Sequence, residues 1–153
     1  MTKEQLHSEI RYAIRLTERT ARLYRKIQVT GYVLTILGGS AVVASIGKAL
    51  PDWLTTAGAI VFAVAGALLI SIRPADKVAQ NESDARRYQA LMAKAVSMSE
   101  PELEQALEEA RLSGAPEIEP LRDVAYNDVA VECARPDVVV PLSPVQRLLA
   151  KLA

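Results

Sequence analysis

Two long uncharged stretches constrain the fold more than any other feature of the sequence. Residues 27–47 and 53–72 contain no Asp, Glu, Lys, Arg or His, and only the short segment KALPD separates them. About 20 helical residues cross the roughly 30 Å hydrocarbon core of a bilayer. Because a chain in lipid must satisfy its own backbone hydrogen bonds, each stretch is predicted to be a transmembrane helix. So short a link cannot cross the bilayer again, so the two spans are predicted to form a hairpin.

A soluble helical hairpin and a cleaved signal peptide both fit these stretches less well. A helical hairpin in a soluble core would show a polar stripe facing water, and neither stretch has one. A cleaved signal peptide has a shorter apolar region and does not lie behind a long, charge-rich segment such as residues 1–26. The membrane hairpin is therefore the favoured interpretation.

The positive charges are concentrated on one side of this hairpin, although 18 basic and 18 acidic residues give a net charge of zero. Basic residues cluster before the first span and after the second, whereas the link offers only Lys48, offset by Asp52. Cytoplasmic segments next to a membrane are rich in Lys and Arg. Both termini are therefore predicted to lie in the cytoplasm.

Residues 1–26 are predicted to form a basic amphipathic helix, which can run into the first span because no Pro or Gly occurs before Gly31. Five cations spaced by 4, 4, 3 and 4 residues share one face: Arg11, Arg15, Arg19, Arg22 and Lys26. This face has three possible roles: contact with anionic lipid head groups, contact with the chain's own C-terminal helices, and binding of a phosphate-rich ligand or nucleic acid. Topology and lipid contact are favoured.

Residues 74–153 are predicted to form a small helical cytosolic domain. SEPE (residues 99–102) and SPVQ (residues 143–146) are capping boxes that begin helices. The last helix has three possible places, on this domain, on the membrane surface or against a partner, and docking on the domain is favoured. Another helix is predicted over residues 121–134, ending before Pro136. Residues 137–142 are predicted to be extended, with a strand-like piece that Pro141 keeps out of the centre of a sheet.

Small residues recur at helical spacing inside the spans. Helices in lipid associate through close backbone approach, which small residues permit. Four residues are therefore predicted to pack helices, either within the hairpin or between copies: Gly31, Ala59, Ala63 and Ala67.

The sequence offers no catalytic or metal-binding set. His7 is the only histidine and Cys133 the only cysteine, so neither a zinc cluster nor a Ser/His/Asp set can be assembled. We predict no enzyme activity, no metal and no cofactor, and we predict that Cys133 is a buried structural residue on a helix. The absence of ionisable residues from both spans argues against proton relays, ion-coupled transporters and voltage sensors.

Two segments carry a resemblance to a known family. Lys77, Asn81, Ala85 and Tyr88 follow the second span at helical spacing, and EEARLSGAPEI (residues 108–118) precedes Tyr126. With the basic N-terminal helix and the two close spans, this layout resembles the SLATT proteins, two-span effectors of bacterial antiphage and nucleotide-signalling systems. The resemblance implies an effector that permeabilises the bacterial inner membrane during abortive infection. It also implies control by a nucleotidyltransferase or its nucleotide product.

The leading hypothesis is an all-α, homo-oligomeric membrane pore, predicted to be a tetramer, with domains at residues 1–26, 27–73 and 74–153. Its predicted partners are the lipid bilayer, further copies of the chain, and a nucleotide-handling enzyme or its product. The first span is predicted to line the pore because it carries most of the hydroxyl groups, with a constriction at Thr35, Gly38, Gly39 and Ser40. The cytosolic mouth or ligand contact is predicted at Arg15, Arg19, Arg22, Arg25 and Lys26.

Two rival hypotheses remain. A non-conducting membrane anchor would recruit a cytosolic partner through the C-terminal helices and would need no polar residue in its spans. A holin-like lysis protein ranks last, because holins are compact and about half of this chain belongs to the predicted cytosolic domain.

Overall fold

The regular elements of the protein are helical throughout the described residues. The computed structural model describes residues 1–46 and 51–153, so most of the predicted link lies outside the described residues. Short 3-10 turns cover Glu119–Leu121 and Pro136–Val138. The α-helices are α1 (Lys3–Ile46), α2 (Asp52–Ile72), α3 (Pro74–Lys94), α4 (Glu100–Leu112), α5 (Arg122–Glu132) and α6 (Pro144–Leu152).

The chain divides into two compact units. The helical unit comprises Met1–Leu23 and Lys77–Ala153, and the hairpin unit comprises Tyr24–Asp76. The N-terminal helix and the C-terminal domain, which are predicted to be separate domains, therefore belong to one unit. Helix α1 contributes to both units without a break, which confirms that the basic helix continues into the first uncharged stretch.

In the hairpin unit, α1 and α2 are long and apolar enough to cross a membrane. Only 6% of the most apolar 18-residue stretch of each helix is buried, whereas a core helix of a soluble protein is mostly buried. Ile36 on α1 and Ile70 on α2 are 67% and 79% exposed. Pro51 precedes α2, and Arg73, in the left-handed region at φ 51°, separates it from α3.

The helical unit is built around the apolar side of the first part of α1. Because Leu6, Ile10 and Ala13 recur at helical spacing, they present one face to the other helices. They form a core with residues of α3 and α4 and of the connection between them: Tyr88, Ala95, Leu103, Leu107 and Ala110. Lys3 fastens the start of α1 to this connection, its Nζ donating to the carbonyl oxygens of Val96 and Met98 at 3.0 and 2.9 Å.

Both predicted capping boxes are present, at Ser99 for α4 and at Ser143 for α6. The prediction of an extended segment with a strand-like piece is only partly right, because residues 136–138 form a 3-10 turn. Pro136 and the ion pair of Arg135 with Asp137 favour this turn. The prediction that Cys133 is buried is wrong: Cys133 follows the last residue of α5, outside the helix's packed face, and is exposed.

Candidate functional site

The two helices of the hairpin unit meet along a line of small residues, here called the glycine seam. Its most restricted position is Gly38, where a Cβ would lie 2.6 Å from the carbonyl oxygen of Gly58 and 2.7 Å from the backbone nitrogen of Phe62. At Gly58 a Cβ would lie 2.6 Å from the Cβ of Ala41. No side chain and no water fits between backbones that approach so closely.

The seam continues to Gly31, where a Cβ would lie 2.6 Å from the Cδ2 of Leu69. Gly31, predicted for helix packing, therefore lies against α2. Gly39 lies at the edge of the seam, since a Cβ there would reach the Phe62 ring only at 3.4 Å.

The alanines predicted for helix packing lie elsewhere. Ala59, Ala63 and Ala67 are exposed in the single chain, whereas Ala65 is buried. Packing within the hairpin thus uses Ala65 and the seam residues. The other predicted role of these three exposed alanines is contact between copies of the chain, and it stays a prediction.

The residues predicted for a constriction do not share one environment. Gly38 is buried in the seam, Ser40 is exposed, and Thr35 and Gly39 are intermediate. The hydroxyls of Thr35 and Ser40 each donate to a carbonyl oxygen of their own helix, those of Gly31 and Ile36, at 2.8 Å. The hydrogen of such a hydroxyl is already used in a hydrogen bond to its own helix, but its oxygen can still accept a hydrogen bond from water.

The N-terminal part of the basic face of α1 contacts α5. Arg19 forms a bidentate pair with Asp128, with Nε–Oδ2 and NH2–Oδ1 distances of 2.7 and 2.8 Å, and its NH1 donates to the carbonyl oxygen of Ala150 at 2.8 Å. Arg15 pairs with Glu132, and the hydrogen bond from this carboxylate raises the pKa of the guanidinium. Among the three roles considered for this face, contact with the chain's own C-terminal helices therefore accounts for Arg15 and Arg19.

The remaining predicted mouth residues, Arg22, Arg25 and Lys26, are exposed. They lie where α1 passes from its charged part to its uncharged stretch, and the Arg22 Nε donates to the Glu18 carbonyl oxygen at 3.4 Å. The five predicted mouth residues thus divide into a pair that holds α5 and an exposed group of three.

A groove of about 810 Å³ in the helical unit was not anticipated from the sequence. We call it the tyrosine groove, because Tyr12 of α1 and Tyr126 of α5 line it. Burial raises the pKa of Tyr12 above its ordinary 10.0, and this effect outweighs the hydrogen bond from Arg122, whose Nε lies 3.4 Å from the hydroxyl. The walls come from three separated segments of the chain, residues 8–12, 119–129 and 140–146, so no local motif signals the groove.

Comparisons of the chain with protein-family models, with curated proteins and with solved structures find no match. The fold and the site define a class: helical chains in which two helices, long and apolar enough to cross a membrane, pack along a glycine seam, with a separate helical unit.

Proposed function

We propose that the chain is a pore-forming effector of antiphage defence, which assembles as a homo-tetramer in the bacterial inner membrane with both termini in the cytoplasm. The exposed apolar faces of α1 and α2 support insertion into lipid. The resemblance to the SLATT proteins supports the effector role and control by a nucleotide-handling partner.

The observation that carries the proposal is the closed glycine seam. Since the backbones at Gly38 and Gly58 touch, one hairpin leaves no water path between its own helices. Any path must therefore lie between hairpins, and several copies are needed to enclose it. The exposed alanines of α2 and the exposed outer side of α1 are the surfaces that remain for this assembly.

In this assembly α1 lines the path. Ser40 is exposed, lies off the seam and keeps an acceptor oxygen for water, so it is the best lining residue among the four candidates. Uncharged walls would pass ions with little selectivity, and the exposed Arg22, Arg25 and Lys26 would set the charge at the cytoplasmic mouth.

Gating acts through α1, which is one continuous helix from Lys3 to Ile46. The pairs of Arg15 with Glu132 and of Arg19 with Asp128 hold its N-terminal part against α5. A partner enzyme or its nucleotide product that binds the helical unit differently in two states would shift the pore between closed and open.

The test is ion flux through the purified protein in liposomes. We expect ion flux from the wild type and a severalfold lower flux from Ser40→Leu, because the larger apolar side chain narrows the path and excludes water from it. Ser71→Leu is the matched control, since Ser71 is an exposed hydroxyl residue on α2, and it should conduct like the wild type. Equal flux from both variants would remove Ser40 from the lining, and absence of flux from inserted wild-type protein would contradict the pore itself.

A second function, a non-conducting membrane anchor, is favoured by one observation. The Thr35 and Ser40 hydroxyls donate to their own helix, as they do in spans that carry no water. An anchor gives no flux at any protein density yet still holds a cytoplasmic partner at the membrane, so the flux experiment separates the two functions.

A further inference from the structure

We propose that the tyrosine groove binds a short cationic and apolar segment of a partner protein, with an Arg or Lys side chain placed at Asp123. The proposal concerns the helical unit and does not depend on whether the hairpin conducts ions.

The charges around the groove favour a cation. Three carboxylates line it, from Glu9 on α1, Glu119 in the 3-10 turn and Asp123 on α5, against one guanidinium, Arg122. Glu9 pairs with Arg111, and Glu119 lies 3.1 Å from Arg122. In the part of the chain that the structure describes, Asp123 accepts one hydrogen bond, 2.7 Å from the neutral amide of Gln146, and has no ion pair. Its carboxylate therefore keeps acceptor capacity for a cation.

The same charges disfavour a nucleotide in this groove. Arg122 is the only cation that lines it among the described residues, and it already lies within 3.5 Å of Glu117 and 3.1 Å of Glu119. Phosphate groups would meet three carboxylates with no unpaired guanidinium to bind them. The occupant that fits is a protein segment, and a nucleotide product would have to act elsewhere.

Apolar and aromatic side chains supply the rest of the surface. Val140 and Val145 line the groove beside the two tyrosines and are 38% and 62% exposed. A partner's apolar side chain would remove this surface from water. Tyr12 and Tyr126 add aromatic rings to the lining, a type of side chain that attracts guanidinium and ammonium groups.

The C-terminal wall of the groove is already in place. The Asn127 side chain makes two hydrogen bonds with Val140, donating to its carbonyl oxygen and accepting from its N–H, both at 2.8 Å. Gln146 joins α6 to Asp123 on α5. A wall held in its binding geometry reduces the ordering cost of association.

The experiment titrates the full-length protein in detergent against a short fluorescent peptide in which Arg alternates with Leu, and follows anisotropy. We expect saturable binding that weakens with salt, and about tenfold weaker binding for Asp123→Asn, as expected when one charge-assisted contact is lost. Asp137→Asn is the matched control, because it removes the same charge from an exposed pair with Arg135 outside the groove. Its affinity should equal that of the wild type.

A second variant keeps the test decisive if Asp123→Asn does not fold. Tyr126→Ala truncates a side chain that is 42% exposed, so the helical unit should fold while the peptide binds more weakly. The proposal is overturned if the Arg–Leu peptide does not bind, or if a peptide with Glu in place of Arg binds equally well. It is also overturned if neither variant weakens binding, or if a labelled cyclic dinucleotide occupies the groove instead.

Discussion

At the scale of single residues, Gly38 and Arg19 carry the strongest constraints. At Gly38 the backbone atoms of α2 leave no space for a side chain, and they cannot move aside as the end of a flexible side chain can. At Arg19 the constraint is the pairing of charges. The Arg19 side chain is 16% exposed and that of its partner Asp128 is 27% exposed, so neither charge is fully solvated and each needs the other. One residue maintains the hairpin and the other maintains the helical unit.

Substituting Gly38 should open the hairpin. We expect Gly38→Ala to lower the free energy of unfolding by about 1–3 kcal/mol, the usual cost of overpacking a closed contact. Titration with a denaturing detergent, followed by circular dichroism, measures this change. Gly66→Ala is the control, since nothing lies within 4 Å of a Cβ at that position. Equal stability of the two variants would show that the seam is not closed.

Removing the Arg19 side chain should destabilise the helical unit. Arg19→Ala leaves the Asp128 carboxylate half-buried without its two hydrogen bonds, and we expect a loss of about 2 kcal/mol in the free energy of unfolding. Chemical denaturation of the protein in detergent measures it. Arg135→Ala breaks an exposed pair with Asp137 and should cost much less. Comparable losses would mean that the Arg19 pair is no stronger than a surface pair.

At the scale of elements, the features that could be predicted are local ones. The capping boxes at Ser99 and Ser143 depend on residues three apart, so the starts of α4 and α6 follow from the sequence. The partner of Arg19 is 109 residues away, and no local pattern indicates such a distance. The prediction of a buried Cys133 on a helix is wrong because helical periodicity alone does not show where α5 ends.

The capping box of α4 should make stability depend on pH. Hydrogen bonds from the Ser99 hydroxyl and then from its backbone N–H lower the pKa of Glu102 below its ordinary 4.5. Because the folded pKa is the lower one, the stabilisation is present above pH 4.5 and is lost as the pH falls through the folded value.

The comparison that checks this is Glu102→Gln against the wild type, by thermal unfolding at a series of pH values. The wild type should be the more stable protein near neutral pH, and the difference should shrink below pH 4.5. A difference that stays constant, or that grows as the pH falls, would show that the carboxylate does not cap α4.

At the scale of the whole molecule, the helical fold of the described residues could be predicted, and so could two helices suited to a membrane, because long uncharged stretches are typical of membrane spans. The grouping of Met1–Leu23 with Lys77–Ala153 could not, since it depends on which apolar faces meet. The glycine seam was only half anticipated for the same reason: spacing identified Gly31, but not that α1 would turn Gly38 toward α2.

In the proposed pore, several hairpins meet in a bilayer to enclose a path that one hairpin cannot form. The number of hairpins in each assembly can be counted from the photobleaching steps of singly labelled protein in liposomes, with the label attached to Cys133, which is exposed. We expect the liposomes that leak ions to contain spots with several photobleaching steps, four for the proposed tetramer. Single-step spots alone, at every protein density and in leaking liposomes as well, would contradict this assembly.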